Sequence, residues 1–138
     1  MGIDWSEIAA AGGIAKGPTG YEVKLAKQKA LQAHQQEVYA AVTLRDGSSC
    51  RVCGKFCSPR AWAALERSHK HHLVYRSMQG PTETWNLLTL CARCHSEEHG
   101  GKLQLSGNAD ERDPVTGRLA GVKVERPSEE GWLVIGWV

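Results

Sequence analysis

Cys50-Arg-Val-Cys53 and Cys91-Ala-Arg-Cys94-His95 stand on either side of the dipeptide His71-His72, and no other part of the sequence constrains the fold as strongly. Each Cys-x-x-Cys pair places two sulfurs on one tight turn. Two such turns supply the four thiolates of a closed, tetrahedral zinc site. The pattern therefore predicts structural zinc held by the four cysteines, and it leaves the histidines free for a second task.

The cysteines allow two other interpretations. A redox dithiol needs one pair only, so it does not explain the second pair. Cys57 lies four residues after Cys53 and could substitute as a ligand, but the symmetry of the two pairs favours a spare thiol. The N-terminus lacks the basic and then apolar layout of a signal peptide, which predicts a cytoplasmic protein whose cysteine pairs bind metal.

Composition places the 138 residues in the soluble globular class, with 41% hydrophobic and 23% charged residues. No apolar run is long enough to span a membrane, so no membrane partner is expected. The net charge is only +2, but residues 50–105 carry eight Lys and Arg against four Glu. This basic excess coincides with the Cys/His segment, where contacts to phosphate would be useful.

The histidines suggest a second metal site. On a strand, the adjacent His71 and His72 would point to opposite sides, so that one could hold a metal while the other faces a substrate. His95 and His99 are four residues apart and share one face of a helix. Together with His71 they could bind a divalent ion with open coordination positions. His69 competes with His71 for this assignment.

Local patterns predict the order of elements. Residues 1–21 are expected to form a flexible N-terminal arm with a short helical piece around Trp5–Ala11, and Ser58-Pro59 is expected to open a short helix that ends near Arg67. The remaining predicted elements are a long helix over 22–44, strands over 72–75 and 87–90, a helix over 94–99, and three strands over 103–105, 122–125 and 132–138.

The combination His71-His-Leu-Val-Tyr-Arg-Ser77, Trp85-Asn-Leu-Leu-Thr-Leu-Cys91-Ala-Arg-Cys-His95 and His99 resembles the HNH endonucleases with a four-cysteine zinc site. The resemblance covers Cys50 to His99. It implies a ββα-metal (His-Me finger) module stabilised by the four-cysteine zinc site. Together with the local patterns, this predicts a small α+β fold with an N-terminal helix and a C-terminal β extension. The predicted nuclease domain, including the leading helix, is 22–101, and the extension is 102–138.

The resemblance also implies individual functions. His72 matches the general base, Asn86 the residue that ties the hairpin loop, and Arg76 a basic position near the scissile phosphate. His71, His95 and His99 match ligands of a catalytic divalent metal such as Mg, Mn, Ni or Zn. The implied partner is DNA, and the frequency of such modules in bacteriophages suggests phage packaging or mobile-element proteins as further partners in a bacterial host cytoplasm.

Two departures from the family pattern stand out. Seventeen residues separate Cys53 from His71, and Tyr75 stands where many members have Pro. The main hypothesis is a metal-dependent DNA endonuclease that nicks or cuts both strands. The alternative is a non-catalytic zinc module that binds nucleic acid or protein and does not need its histidines.

Overall fold

The computed structural model describes residues 17–138, so the short helix expected around Trp5–Ala11 lies outside the described residues. The chain divides after Gln35 into two units, each described by itself below. The helices and strands, with the labels used from here on, are α1 (Gly20–Asp46), β1 (Ser68–His72), β2 (Leu87–Cys91), α2 (Ala92–His99), β3 (Gln104–Gly107), β4 (Val122–Ser128) and β5 (Gly131–Trp137).

Helix α1 starts in the first unit with a reciprocal cap. The Thr19 N–H donates to Glu22 Oε2 at 2.6 Å, and the Glu22 N–H donates to Thr19 Oγ1 at 3.2 Å. Leu31, within this helix, is 70% exposed. Ala, Gln and Lys have high helix propensity, and they continue the helix where no buried contact requires it.

In the second unit, β1 pairs antiparallel with β2, and α2 follows β2 without a linker. This ββα order confirms the predicted fold class. The first strand, however, is Ser68–His72 rather than the expected residues 72–75. Its register places His72 opposite Leu87, and the Leu73 N–H donates to Asn86 O before the chain turns away. Pairing with β2, which is buried along its whole length, overrides the β propensity of Leu73–Tyr75.

The helix expected between Ser58 and Arg67 is absent from the described structure. Ser58 instead forms a bridge with Arg67, its N–H donating to Glu66 O at 2.8 Å. A single 3₁₀ turn, Ala64–Glu66, is the helical part of this segment. Because the Ser58 backbone is used in this bridge, it does not begin a helix. The segment between Ser58 and Arg67 forms a loop that the bridge closes at its base.

The C-terminal strands form a separate antiparallel sheet in the order β3-β4-β5. Leu105 of β3 and Val122 and Val124 of β4 are buried, and they belong to the same core cluster as the four buried cysteines, which are all the cysteines except Cys53. On β5 the backbone is paired with β4, but the side chains from Trp132 to Ile135 and that of Trp137 are 45–58% exposed. The domain boundaries at residues 21 and 101 stay predictions.

A buried ion network holds the end of α1 against β2. The side chain of Asp46 is fully buried and accepts hydrogen bonds from Arg45 Nε at 2.7 Å, Arg51 Nη1 at 3.1 Å and the Thr89 N–H at 2.9 Å. Burial alone would raise the pKa of Asp46. The hydrogen bond and charge of Arg45, the Thr89 N–H and the charge of Arg51 outweigh it and hold this pKa below its usual range.

Arg45 extends the network to the turn that precedes β2. Its Nη1 donates to Thr84 O at 2.6 Å and to Asp110 Oδ1 at 2.7 Å, and its Nη2 donates to Leu87 O. The two carbonyls belong to residues on either side of Asn86. The Arg45 side chain therefore fixes both ends of the short turn that carries Asn86.

Within residues 17–138, no helix combines the length and the apolar character that crossing a membrane requires.

We predict that Asp46→Asn lowers the free energy of unfolding by about 3–5 kcal/mol at pH 7, because Arg45 and Arg51 lose their buried counter-charge. The loss should shrink in acid. The lowered pKa stabilises the native protein fully above about pH 4, and this contribution disappears as the pH falls through the folded-state pKa. Thermal unfolding of both proteins between pH 7 and pH 3 measures the difference.

Asp110→Asn is the matched control, because Asp110 also pairs with Arg45 but its side chain is 41% exposed. It should cost less than about 1 kcal/mol. Equal losses for the two variants would show that the buried network does not hold α1 in place.

Candidate active site and metal centres

The four predicted zinc ligands come together at one point. The sulfurs of Cys50, Cys53, Cys91 and Cys94 all lie within 4.8 Å of one another, and those of Cys53 and Cys91 are 3.7 Å apart. Sulfurs bound tetrahedrally to zinc at 2.3 Å are about 3.8 Å apart, so the group has the size of such a site. The donor set and its dimensions therefore fit zinc.

Local structure explains how each pair is presented. The Cys50 N–H donates to Lys55 O at 2.8 Å, and the Gly54 N–H donates to Cys50 O at 2.9 Å, which closes the first turn. Cys91 ends β2 and caps the N-terminus of α2, where its Sγ accepts a hydrogen bond from the Cys94 N–H at 3.5 Å. The strand-to-helix junction thus aims the second pair.

Burial makes two of these thiols, Cys50 and Cys94, hard to ionise without a cation. It raises the pKa of Cys50, and burial with the nearby Cys50 raises the pKa of Cys94 strongly. Burial acts on Cys91 in the same direction, but the Cys94 N–H and the neighbouring thiols outweigh it and lower the pKa of Cys91. Zinc would supply the positive charge that buried thiolates need, and its binding would release protons.

Cys57 is completely buried but lies outside the group of four. Burial, followed by the charges of Cys50 and Cys91, raises its pKa to about 11. A neutral thiol packed in the core behaves as a small apolar side chain. This position agrees with the expectation of a spare thiol.

The histidines form a second group. One nitrogen from each of His71, His95 and His99 lies within 4.8 Å of the others, and the Nε2 atoms of His95 and His99 are 3.1 Å apart. Two nitrogens bound to one ion at 2.0–2.1 Å are roughly 3.0–3.4 Å apart, so the spacing suits a shared cation. His69 lies outside this group and stacks on His95, with ring centroids 4.6 Å apart.

Two imidazoles of this group, those of His71 and His95, have pKa values below the ordinary value. Burial, and then the neighbouring His95, His99 and His72, lower the pKa of His71 to about 4. Burial, and then His69 and His99, lower the pKa of His95 as well. A neutral imidazole keeps a lone pair available for a metal, so the electrostatics also fit a cation at this group.

His72 lies beside the histidine group in a cavity of about 470 Å³. Its Nε2 lies 3.3 Å from Thr82 Oγ1. Burial, and then the positive charge of Arg76, lower the pKa of His72. The cavity brings together the charged and imidazole-bearing residues Lys70, His71, His72, Arg76, His95 and His99.

Asn86 is fully buried, and all its side-chain hydrogen bonds go to the loop between β1 and β2. Its Oδ1 accepts from the Val74 N–H at 2.8 Å, and its Nδ2 donates to Val74 O at 3.1 Å and Pro81 O at 2.9 Å. Both ends of the loop are thereby fixed. Gly80 permits this closure, since an added Cβ would lie 1.7 Å from Val74 O.

Sequence reasoning missed two residues of the site. The Tyr75 hydroxyl donates to Glu98 Oε1, and Glu98 Oε2 lies 3.6 Å from His71 Nδ1. In sequence, Glu98 looks like one more charged residue on a solvated helix. The sequence offers one sign of this contact: Tyr75, which faces the Glu98 carboxylate, stands where many HNH endonucleases have Pro.

Residues 50–101 match the family model HNH endonuclease. The chain is also similar to anaredoxin from Nostoc sp. (strain PCC 7120), with 32% identity over 56 residues. That alignment covers 41% of this chain and 63% of anaredoxin, so the chain spans less than two thirds of the relative's length. No solved structure matches the chain.

We predict that Cys53→Ser lowers the zinc content of the purified protein, whereas Cys57→Ser leaves one zinc per chain. A closed structural site takes four ligands, and the two pairs already supply them. Elemental analysis after extensive dialysis measures both variants against the native protein. Loss of zinc from the Cys57 variant alone would assign the fourth ligand to Cys57.

Proposed function

We propose that the HNH-family module of residues 50–101 is a metal-dependent endonuclease that hydrolyses phosphodiester bonds in DNA. The observation that carries this proposal is one cavity lined by a base candidate, His72, and by a three-histidine group of metal-binding dimensions. A fully buried Asn86 ties the loop beside them. A module that only needs zinc for its fold requires none of these histidines.

In the proposed reaction, His72 is the general base. In the tautomer that donates Nε2–H to Thr82 Oγ1, the basic nitrogen is Nδ1. This nitrogen takes a proton from water, the water oxygen forms a bond to phosphorus, and the bond to the 3′ oxygen breaks. The lowered pKa keeps His72 unprotonated at neutral pH, which is the state that a base requires.

His71, His95 and His99 would hold the catalytic cation. A divalent ion bound there would offset the phosphate charge and stabilise the leaving 3′ oxygen. Imidazole ligands suit Zn²⁺ and Ni²⁺, while Mg²⁺ prefers carboxylate and water oxygens. The donor set therefore favours Zn²⁺ or Ni²⁺ over Mg²⁺.

DNA is the proposed substrate because basic side chains surround the cavity. Lys70 and Arg76 line it, and residues 50–105 carry the basic excess of the chain. Lys and Arg contacts to phosphates supply most of the affinity in sequence-independent DNA binding. A phage or mobile-element setting in a bacterial cytoplasm rests on the family resemblance alone.

The alternative remains a zinc module that binds nucleic acid or protein without cleaving it, since the four-cysteine group suits both functions. A redox dithiol is less well supported, because the structure gathers four sulfurs rather than two. The two leading functions differ in one respect. Only the endonuclease needs His72.

We predict that His72→Ala abolishes cleavage of plasmid DNA, while zinc content, melting temperature and DNA affinity stay close to native. Loss of a general base costs roughly 10²–10⁴-fold in rate. Added Ni²⁺ or Mn²⁺ should not restore activity, because no ion replaces the missing base. Cleavage is measured with Mg²⁺, Mn²⁺, Ni²⁺ and Zn²⁺ in turn.

His95→Ala should also be inactive, but through weaker binding of the cation, so a high metal concentration should restore part of its activity. His34→Ala, in the N-terminal part of α1, is the control for removing a histidine and should cleave like the native protein. Full activity of a clean His72→Ala preparation, or no cleavage by the native zinc-loaded protein with any of the four metals, would favour the binding module.

A further inference from the structure

Glu98 is a buried carboxylate next to the histidine group. It lies on α2 with only 7% of its surface exposed. Its Oε1 accepts a hydrogen bond from the Tyr75 hydroxyl, whereas Oε2 is buried and has no hydrogen-bond partner among the described residues. A buried carboxylate oxygen without a donor is costly, so its position calls for a physical explanation.

Two imidazole nitrogens lie within 4.0 Å of Oε2. His71 Nδ1 lies at 3.6 Å and His99 Nδ1 at 3.9 Å. Both distances exceed a normal hydrogen bond, but a small approach of the His71 ring would form one. With Nδ1 turned to Glu98, the nitrogen of His71 that is left for a cation is Nε2.

The charge of the Glu98 carboxylate also favours a cation at the histidine group. Among the described residues, Glu98 forms ion pairs with His71 and His99 and none with Lys or Arg, so no permanent positive charge compensates its carboxylate. A divalent cation at the histidine group would do so. Metal-bound histidines commonly donate their second N–H to a carboxylate, which fixes the tautomer and the ring orientation.

We propose that Glu98, anchored by Tyr75, is a positioning residue that holds His71 in the Nδ1–H tautomer and directs its Nε2 to the cation shared with His95 and His99. The inference rests on the proposed function, because it assumes that the histidine group binds a divalent cation. It adds a residue pair, Tyr75 and Glu98, that does not touch the cation itself.

Glu97 offers a matched control one residue earlier on the same helix. Its carboxylate pairs with Arg93 at 3.4 Å and Arg126 at 2.9 Å, and therefore does not serve the histidine group. Glu97→Gln and Glu98→Gln remove the same charge from the same helix. Only the second change removes the partner of His71.

The experiment titrates the zinc-loaded protein with Ni²⁺ by calorimetry. Glu98→Gln should bind Ni²⁺ about 10–100-fold more weakly than native protein, and Glu97→Gln should bind as native. Without Ni²⁺, long-range ¹H–¹⁵N spectra should show the Nδ1–H tautomer for His71 in the native protein and a loss of this preference in Glu98→Gln. A purely structural contribution to folding would not change this tautomer.

Tyr75→Phe tests the anchor and guards against poor folding of the Glu98 variant. It should weaken Ni²⁺ binding less than Glu98→Gln does. The double variant should bind like Glu98→Gln alone, because Tyr75 acts through the carboxylate. Melting temperatures of all variants establish that the fold is retained.

The outcomes separate this inference from the proposed function. Native Ni²⁺ affinity and an unchanged His71 tautomer in Glu98→Gln would overturn the positioning function, while plasmid cleavage by the native protein would still stand. Equal weakening in Glu97→Gln would also overturn it, since the effect would then be one of net charge. Failure of the native protein to bind Ni²⁺ at all would overturn the inference together with the proposed cation site.

Discussion

The meeting of four sulfurs at the junction of β2 and α2 is the constraint on which the site depends. One pair comes from the loop at Cys50, and the other joins the end of the strand to the first turn of the helix. Cys50, Cys91 and Cys94 also belong to a core cluster that includes Leu88, Leu90 and residues of the C-terminal sheet. Zinc bound by these sulfurs would stabilise a core as small as this one and would couple the fold to the metal site.

The opposite end of β2 is held by hydrogen bonds instead of sulfur. Arg45 reaches the carbonyls of Thr84 and Leu87 from the end of α1, while Asn86, between them, closes the loop through Val74 and Pro81. The position of His72 is therefore determined by polar contacts from two elements. Arg45 lies outside the HNH match, which shows that the long helix contributes to the site from beyond the matched segment.

Residue spacing alone predicts the groupings that depend on local chain geometry. Cys91 and Cys94 must sit on one turn, and His95 and His99 must share a helix face, so both groupings could be predicted. The first strand and the helix after Ser58 were misplaced, because pairing with β2 and the bridge to Arg67 are tertiary contacts that local propensity does not encode. Glu98 was missed for the same reason: burial of a charged helix residue becomes visible only in three dimensions.

Helix α2 contributes residues to both the four-sulfur group and the histidine group. Cys94 and Glu98 are four residues apart and both are buried, one in the core with the sulfurs and the other against His71. His95 and His99 have the same spacing but are rotated by one residue, so they line the cavity. Any shift in the register of α2 would move both pairs at once. The cap formed by Cys91 at the start of the helix therefore fixes the geometry of the histidine group as well as that of the sulfurs.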